Sequence, residues 1–308
     1  MKKLICIALF VLILVSCAAA EGVRIAALKG PTAMGMVGMM ENTASYEFSI
    51  SAAADEITPK LVKGEIDIAA LPANLASVLY NRTEGEIRVL AVNTLGVLYI
   101  AERGNSVQSV ADLAGKTIYS AGKGSTPEFA LNFILESNGL VPGEDVFIEY
   151  KAEHSECLAA LLNDASAVAM LPQPFITTAM TKAEDMRVAL NLTEEWDKLG
   201  TASGMITGVV VARADFIADH PEKIDQFLAD YAASVEFVNA NAAEAAQLVG
   251  KYDIVPAQVA EKAIPECNIV CISGEEMLSI LPGYLETLYE QAPEAVGGKL
   301  PDAEFYHP

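Results

Sequence analysis

Two loops of similar sequence contain the residues best suited to binding a small ligand. Lys29-Gly30-Pro31-Thr32 and Lys123-Gly124-Ser125-Thr126 each follow a short apolar run and precede an apolar stretch of helical length. A strand, a glycine loop and a helix start direct unpaired backbone N–H groups at a ligand, and such a site favours an anion. The duplication predicts two loops that face one ligand, although each loop also fits an ordinary helix-start turn and each lysine a solvated position.

A second repeat places a Leu-Pro pair before a predicted helix in each half of the chain. Leu71-Pro72 precedes Asn74, and Leu171-Pro172 precedes Gln173-Pro174-Phe175. Proline is common at helix starts, so this repeat also has a purely structural explanation. Two predicted crossover strands add the hydroxyl groups of threonines. The predicted ligand-binding set is Lys29, Gly30, Pro31, Thr32, Leu71, Pro72, Asn74, Thr94, Lys123, Gly124, Ser125, Thr126, Gln173, Pro174, Phe175, Thr207 and Gly208.

The loop around Lys123 does not match a nucleotide-binding P-loop. That motif needs a glycine five residues before its Gly-Lys pair and a Ser or Thr directly after the lysine. Thr117 and Gly124 occupy these two positions. We therefore reject a P-loop here. Two aromatic residues, Tyr99 and Trp196, either stack on a ring-shaped ligand or belong to the core.

Residue types that support catalysis or metal binding occur without the necessary spacing. His154, His220 and His307 are far apart, and no Ser-His-Asp or Cys-His pattern is visible. We therefore predict no catalytic residue, no metal, no cofactor and no enzymatic activity. Cys267 and Cys271 are free thiols, or a disulfide if the segment between them forms a tight loop.

The N-terminus predicts export and a lipid anchor. Lys2-Lys3 precedes an apolar run over residues 4–15 that is too short to cross a bilayer. Leu14-Val15-Ser16-Cys17 resembles a bacterial lipobox, so we predict a signal peptide over residues 1–16 and lipidation at Cys17. The alternative is an ordinary signal peptide that is cleaved after Ala20.

The chain is strongly acidic. It contains 20 Lys and Arg residues against 41 Asp and Glu residues, which gives a net charge of −21 at pH 7. This charge disfavours binding to the phosphate backbone of nucleic acids and favours a solvated, monomeric surface.

The spacing of apolar runs predicts alternating strands and helices up to about residue 200. Strands are predicted over residues 23–28, 46–51, 66–70 and 87–93, with helices between them, and a similar series follows from residue 116. This alternation predicts an α/β fold of parallel βαβ units with helices on both faces of each sheet. We place one lobe in residues 17–100 and a second in residues 101–200. Residues 201–308 return to the first lobe with a strand and a helical block.

Several phrases of the sequence resemble one group of transport proteins. They are the lipobox, Ala27-Leu28-Lys29-Gly30-Pro31-Thr32, Gly64-Glu65-Ile66-Asp67-Ile68-Ala69, Asp112-Leu113-Ala114-Gly115-Lys116-Thr117-Ile118 and Ala169-Met170-Leu171-Pro172-Gln173-Pro174. Over about residues 22–290 the chain resembles ABC-transporter solute-binding lipoproteins of the nitrate/sulfonate/taurine and thiamine-precursor group.

The resemblance implies a type II periplasmic-binding-protein fold, in which two lobes joined by two crossover strands close over a ligand. It also implies a receptor at the bacterial cell envelope, in the periplasm or on the outer face of the cytoplasmic membrane, that delivers its ligand to an ABC permease. We expect a small anion such as a sulfonate or carboxylate, or a heterocycle of the thiamine- or flavin-precursor type. The alternatives are an enzyme of the same fold, of the menaquinone-pathway or pyrimidine-precursor type, and a sensing module for a membrane receptor.

Overall fold

The chain forms two α/β units, each built on its own sheet. The computed structural model describes residues 22–42 and 44–308. Its strands are β1 (Val23–Leu28), β2 (Tyr46–Ser51), β3 (Ile68–Pro72), β4 (Ile87–Leu95), β5 (Leu98–Arg103), β6 (Thr117–Ala121), β7 (Phe147–Lys151), β8 (Val168–Pro172), β9 (Met186–Asn191), β10 (Ile206–Arg213) and β11 (Ile269–Ile272). Its helices are α1 (Pro31–Met34), α2 (Thr58–Val62), α3 (Ala73–Arg82), α4 (Thr126–Ser137), α5 (His154–Asn163), α6 (Phe175–Lys182), α7 (Leu192–Asp197), α8 (Ala214–Asp219), α9 (Pro221–Ala240), α10 (Ala242–Lys251), α11 (Ala257–Ala263) and α12 (Gly274–Gln291).

The two sheets repeat the same arrangement. Their strand orders are β11-β4-β10-β3-β1-β2 and β7-β6-β8-β5-β9. In the first sheet, β1 pairs in parallel with β2 and β3, and in the second sheet β6 pairs in parallel with β7 and β8. One antiparallel strand, β10 or β5, then pairs with the third member of each parallel trio. The predicted two-lobed α/β fold is confirmed, and its sheets are mixed.

The chain crosses between the sheets at two places. It leaves the first sheet between β4 and β5, at Gly96 and Val97, and returns between β9 and β10. A Cβ atom on Gly96 would lie 2.1 Å from Oγ1 of Thr193, so only glycine fits this close approach. Asn268 also donates a hydrogen bond to the Gly96 carbonyl at 2.6 Å. The lobe limits at residues 100 and 200 stay predictions.

Large aromatic side chains join the elements near these crossings. Trp196 is fully buried, and its ring centroid lies 4.7 Å from that of Phe133 and 5.5 Å from that of Tyr284. These three residues belong to α7, α4 and α12 respectively. Tyr99 is also buried. Both aromatic residues that the sequence analysis left open are therefore core residues.

The segment after the first Lys-Gly loop is less helical than the sequence pattern predicts. The sequence pattern predicts a helix between the first two strands, but α1 ends at Met34 and a 3-10 turn follows at Met39–Glu41. A Cβ atom on Gly35 would lie 2.8 Å from Ile269, and one on Gly38 would lie 2.9 Å from Oγ of Ser234. Close packing against β11 and α9 therefore shapes this segment more than helix propensity does.

Cys157, Cys267 and Cys271 are free thiols, which decides between the two alternatives for the last two. The predicted signal peptide and Cys17 lie outside the described residues. Within residues 22–42 and 44–308, no helix is both long and apolar enough to span a bilayer.

Candidate ligand-binding site

A cleft of about 470 Å³ lies between the two sheets. The carboxyl ends of β1, β2 and β3 reach it from the first sheet, and those of β6, β7 and β8 reach it from the second. Ligands of open α/β sheets bind outside the carboxyl ends of the strands, so this cleft has the expected position of a binding site. The repeated parallel trios explain why corresponding loops of both halves meet there.

Many of the predicted site residues lie in the wall of this cleft. Both Lys-Gly loops contribute, as do both Leu-Pro loops and the two threonines of the crossover strands. The predicted residues that line the cleft are Lys29, Pro31, Thr32, Pro72, Thr94, Lys123, Gly124, Ser125, Gln173 and Thr207.

Other predicted residues do not line the cleft, namely Gly30, Leu71, Asn74, Thr126, Pro174, Phe175 and Gly208. Asn74 and Thr126 are fully buried and hydrogen-bond to each other at 3.2 Å. Gly208 leaves room for a neighbour, because a Cβ atom there would lie 2.4 Å from Oδ1 of Asn93. Ligand contact by any member of the predicted set stays a prediction.

The structure adds cleft residues that sequence reasoning missed. The segments after β2 and β7 reach the cleft through Ala52–Asp55 and through Lys151–His154. These positions could be predicted from strand direction, because β2 and β7 run parallel to β1 and β6 and therefore end at the same edge of each sheet. Neither of these strand ends carries the Lys-Gly or Leu-Pro motif, so the repeats in the sequence do not predict them.

The backbone of the Lys123 loop already has an anionic partner. Gly122 and Gly124 adopt φ angles of 80° and 75°, which favour glycine. The N–H of Gly124 donates to the carboxylate of Glu128 at 2.5 Å, and Oγ of Ser125 donates to the carbonyl of Gly122 at 2.6 Å. The carboxylate of Glu128, in the first turn of α4, thus occupies part of the predicted anion site.

Two buried polar atoms of cleft-lining residues have no hydrogen-bond partner among the residues that the structure describes. They are Oγ1 of Thr94, from the first sheet, and Nδ1 of His154, from the start of α5. An unpaired buried polar atom costs about 1–3 kcal/mol, and a ligand that hydrogen-bonds to it removes this cost. The His154 ring packs on Phe175 with 5.6 Å between centroids. Burial lowers the pKa of His154 to about 4, so its imidazole is neutral at pH 7.

Three lysines, Lys29, Lys123 and Lys151, also line the cleft. Lys123 lies with its Nζ 5.7 Å from the ring centroid of Tyr150. Lys29 is 3.7 Å from Asp253, and Lys151 is 2.6 Å from Glu149. Among the cleft lysines, Lys123 is the one without a carboxylate within salt-bridge distance in the part of the chain that the structure describes. Within the same residues, no group of three or more His, Cys, Asp or Glu side chains is placed to hold a metal ion.

The rest of the wall includes the carboxylates of Asp55 and Glu153 and several hydroxyl and amide side chains, and its remainder is apolar and aliphatic. The apolar part consists of the prolines Pro31, Pro72, Pro127 and Pro172 together with Leu28, Leu75, Val97, Leu98 and several alanines. No Phe, Tyr or Trp side chain of residues 22–42 or 44–308 lines the cleft. The cleft therefore combines a few polar groups with walls that fit an aliphatic body.

Comparison with solved structures supports the fold. The chain is similar to an ABC transporter protein from Parabacteroides distasonis, with 24% identity, coverage of 93% of this chain and 99% of that chain, and a TM-score of 0.77. It is also similar to the periplasmic aliphatic sulphonate binding protein SsuA from Escherichia coli, with 17% identity, coverage of 94% and 92%, and a TM-score of 0.74. For the periplasmic nitrate-binding protein NrtA from Synechocystis, the identity is 14%, the coverage 77% and 68%, and the TM-score 0.62. These likenesses show the type II periplasmic-binding-protein fold.

The sequence itself identifies the family. No curated protein matches the chain significantly. Residues 36–261, however, match the sequence model of the family described as ABC transporter, phosphonate, periplasmic substrate-binding protein. The match includes most of both sheets and most of the cleft wall. The chain therefore belongs to the phosphonate substrate-binding family of ABC-transporter proteins.

Proposed function

We propose that this protein is a lipid-anchored receptor that captures a small anion with an aliphatic body and delivers it to an ABC permease. Membership of an exported substrate-binding family supports the transport role. The lipobox-like residues 14–17 support an anchor at Cys17. In this proposal the protein binds its ligand as a monomer and without chemical change.

One observation carries the ligand assignment. Thr94 and His154 line opposite walls of one cleft, and Thr94 Oγ1 and His154 Nδ1 are buried without a hydrogen-bond partner in the described part of the chain. A phosphonate, sulfonate or carboxylate group offers several oxygen acceptors to such groups, and Lys123 supplies a nearby positive charge. The aliphatic wall then surrounds the carbon chain of the ligand.

The cleft gives less support to a flat heterocycle. Ring-shaped ligands are usually held by aromatic side chains, and the described cleft wall has only the imidazole of His154. Trp196 and Tyr99, the two candidates from the sequence, belong to the core.

A binding panel tests this proposal. The purified protein is heated with propylphosphonate, propanesulfonate, butyrate, nitrate or a neutral aminopyrimidine, and its melting temperature is measured. We expect at least one of the aliphatic anions to raise the melting temperature and to bind stoichiometrically in calorimetry without turnover. Stabilisation by the aminopyrimidine alone, or chemical conversion of a bound compound, would contradict the proposal.

The anchor requires a separate test. We expect the protein with Cys17 to remain in the membrane fraction of the expressing cells and the Cys17→Ala variant to appear in the soluble fraction. Equal distribution of both proteins would contradict lipidation at this residue.

A further inference from the structure

The sequence predicts that Asn74 contacts the ligand, and in the structure its side chain contacts other parts of the protein. Asn74 is the second residue of α3, in the first lobe, and is fully buried. Its Nδ2 donates to the carbonyl of Ala295 at 3.0 Å and lies 3.4 Å from the carbonyl of Gly124. Its Oδ1 accepts a hydrogen bond from Oγ1 of Thr126 at 3.2 Å. The amide is therefore fully engaged by the protein.

These contacts connect the two lobes. Asn74 and Ala295 belong to the part of the chain that packs on the first sheet, whereas Gly124 and Thr126 belong to the loop and helix that follow β6 of the second sheet. The hydrogen bond to the Ala295 carbonyl fixes the orientation in which the Asn74 amide contacts the second lobe. Ser77, one turn later in α3, donates to the carbonyl of Val296 at 2.9 Å, a hydrogen bond that stays within the first lobe.

The connection is made to the loop that lines the cleft. Lys123, Gly124 and Ser125 are cleft residues, and Thr126 follows them directly. The equivalent contact in the other half of the molecule, between the loop at Gly30 and the loop at Gln173, is looser. A Cβ atom on Gly30 would lie 3.8 Å from the carbonyl of Gln173, and no hydrogen bond joins these two residues within the described chain.

We propose that Asn74 and Thr126 form a closure latch, so that Asn74 is a positioning residue that strengthens ligand binding without touching the ligand. The inference rests on the proposed function, because closure matters only if the cleft captures a ligand. Moving the lobes apart breaks the Asn74–Thr126 hydrogen bond and exposes both side chains to water. A contact that exists in only one of two conformations shifts their populations toward that conformation. The latch thereby holds the Lys123 loop against the first lobe and favours the closed state.

Substitutions at Thr126 test the latch while leaving the bond from Asn74 to Ala295 in place. Thr126→Val removes the hydroxyl with little change in shape, Thr126→Ser keeps it, and Ser77→Ala is a matched control that removes a hydrogen bond within the first lobe only. Urea denaturation establishes that each variant folds. If Thr126→Val does not fold, Thr126→Ala takes its place.

Two readouts then separate closure from general stability. For Thr126→Val without ligand, we expect a larger radius of gyration in small-angle X-ray scattering than for the wild type. We also expect propylphosphonate to bind about tenfold more weakly, or ~1.4 kcal/mol, mainly through faster dissociation. Thr126→Ser and Ser77→Ala should behave like the wild type in both measurements.

An unchanged radius of gyration in Thr126→Val would overturn the latch, as would an equal loss of affinity in Thr126→Ser. If propylphosphonate and the other anions fail to bind the wild type, the proposed function fails. The scattering comparison of the unliganded proteins still decides the latch in that case.

Discussion

Replacing His154 with glutamine should reduce the loss of stability of this fold between pH 7 and pH 5. Burial lowers the pKa of His154 from 6.5 to about 4. Because the folded-state pKa lies below the unfolded-state value, the unfolded chain takes up the proton first as the pH falls. The stability linked to the neutral imidazole is therefore present above about pH 6.5 and is lost as the pH falls from there toward 4.

The size of this effect follows from the two pKa values. One pKa unit corresponds to about 1.4 kcal/mol. For a shift from 6.5 to about 4, the loss of unfolding free energy between pH 7 and pH 5 is about 2 kcal/mol. Glutamine has no titrating group, so the variant should lose about 2 kcal/mol less than the wild type over this interval.

Urea denaturation at pH 7, 6 and 5 measures the difference. His307→Gln is a suitable control, because burial also lowers the pKa of His307 but this residue lies outside the cleft wall. A bound anion favours the charged imidazolium beside it. Saturating propylphosphonate should therefore reduce the acid sensitivity of the wild type and of His307→Gln, and should have no such effect on His154→Gln.

Two results would refute this reasoning. One is an unchanged pH dependence of stability in His154→Gln. The other is a ring-proton titration of His154, followed by nuclear magnetic resonance, that reports a pKa near 6.5. Either result would mean that the imidazole is not buried in the cleft wall, and the ligand assignment would lose its main support.

Other substitutions probe the remaining parts of the account. Lys123→Ala should weaken the binding of an aliphatic anion tenfold or more, or ~1.4 kcal/mol. The reason is that it removes the cleft lysine that has no carboxylate partner among the described residues. Unchanged affinity in calorimetry would make Lys123 a surface lysine. Gly208→Ala should lower the unfolding free energy by about 1–3 kcal/mol, because its Cβ would lie 2.4 Å from Oδ1 of Asn93. Gly204→Ala is its control, since the nearest atom to a Cβ there is 4.0 Å away. Equal denaturation midpoints for the two alanine variants would contradict the packing argument.

The repeats in the sequence predict much of the fold and part of the cleft. Lys29 and Lys123 follow equivalent strands, β1 and β6, and Thr94 and Thr207 lie on strands at the sheet crossings. Local patterns suffice for these positions, because the end of a parallel strand fixes which edge of the sheet its loop occupies.

Residues whose role depends on distant partners were harder to assign. Asn74 has the polarity and position of a ligand-binding residue. Its hydrogen-bond partner Ala295 is 221 positions away, and no local sequence pattern predicts this contact. His154 was overlooked for a related reason. Its place in the cleft depends on the parallel pairing of β7 with β6, which no local sequence pattern around His154 shows.

A crystal structure of the protein with bound propylphosphonate is the most direct test of the central claim. We predict that the phosphonate oxygens lie within hydrogen-bonding distance of Thr94 Oγ1 and the His154 ring, with the propyl group against the prolines and leucines of the cleft wall. A phosphonate bound away from these two side chains, or a cleft occupied by a neutral heterocycle in preference to the anion, would contradict the account.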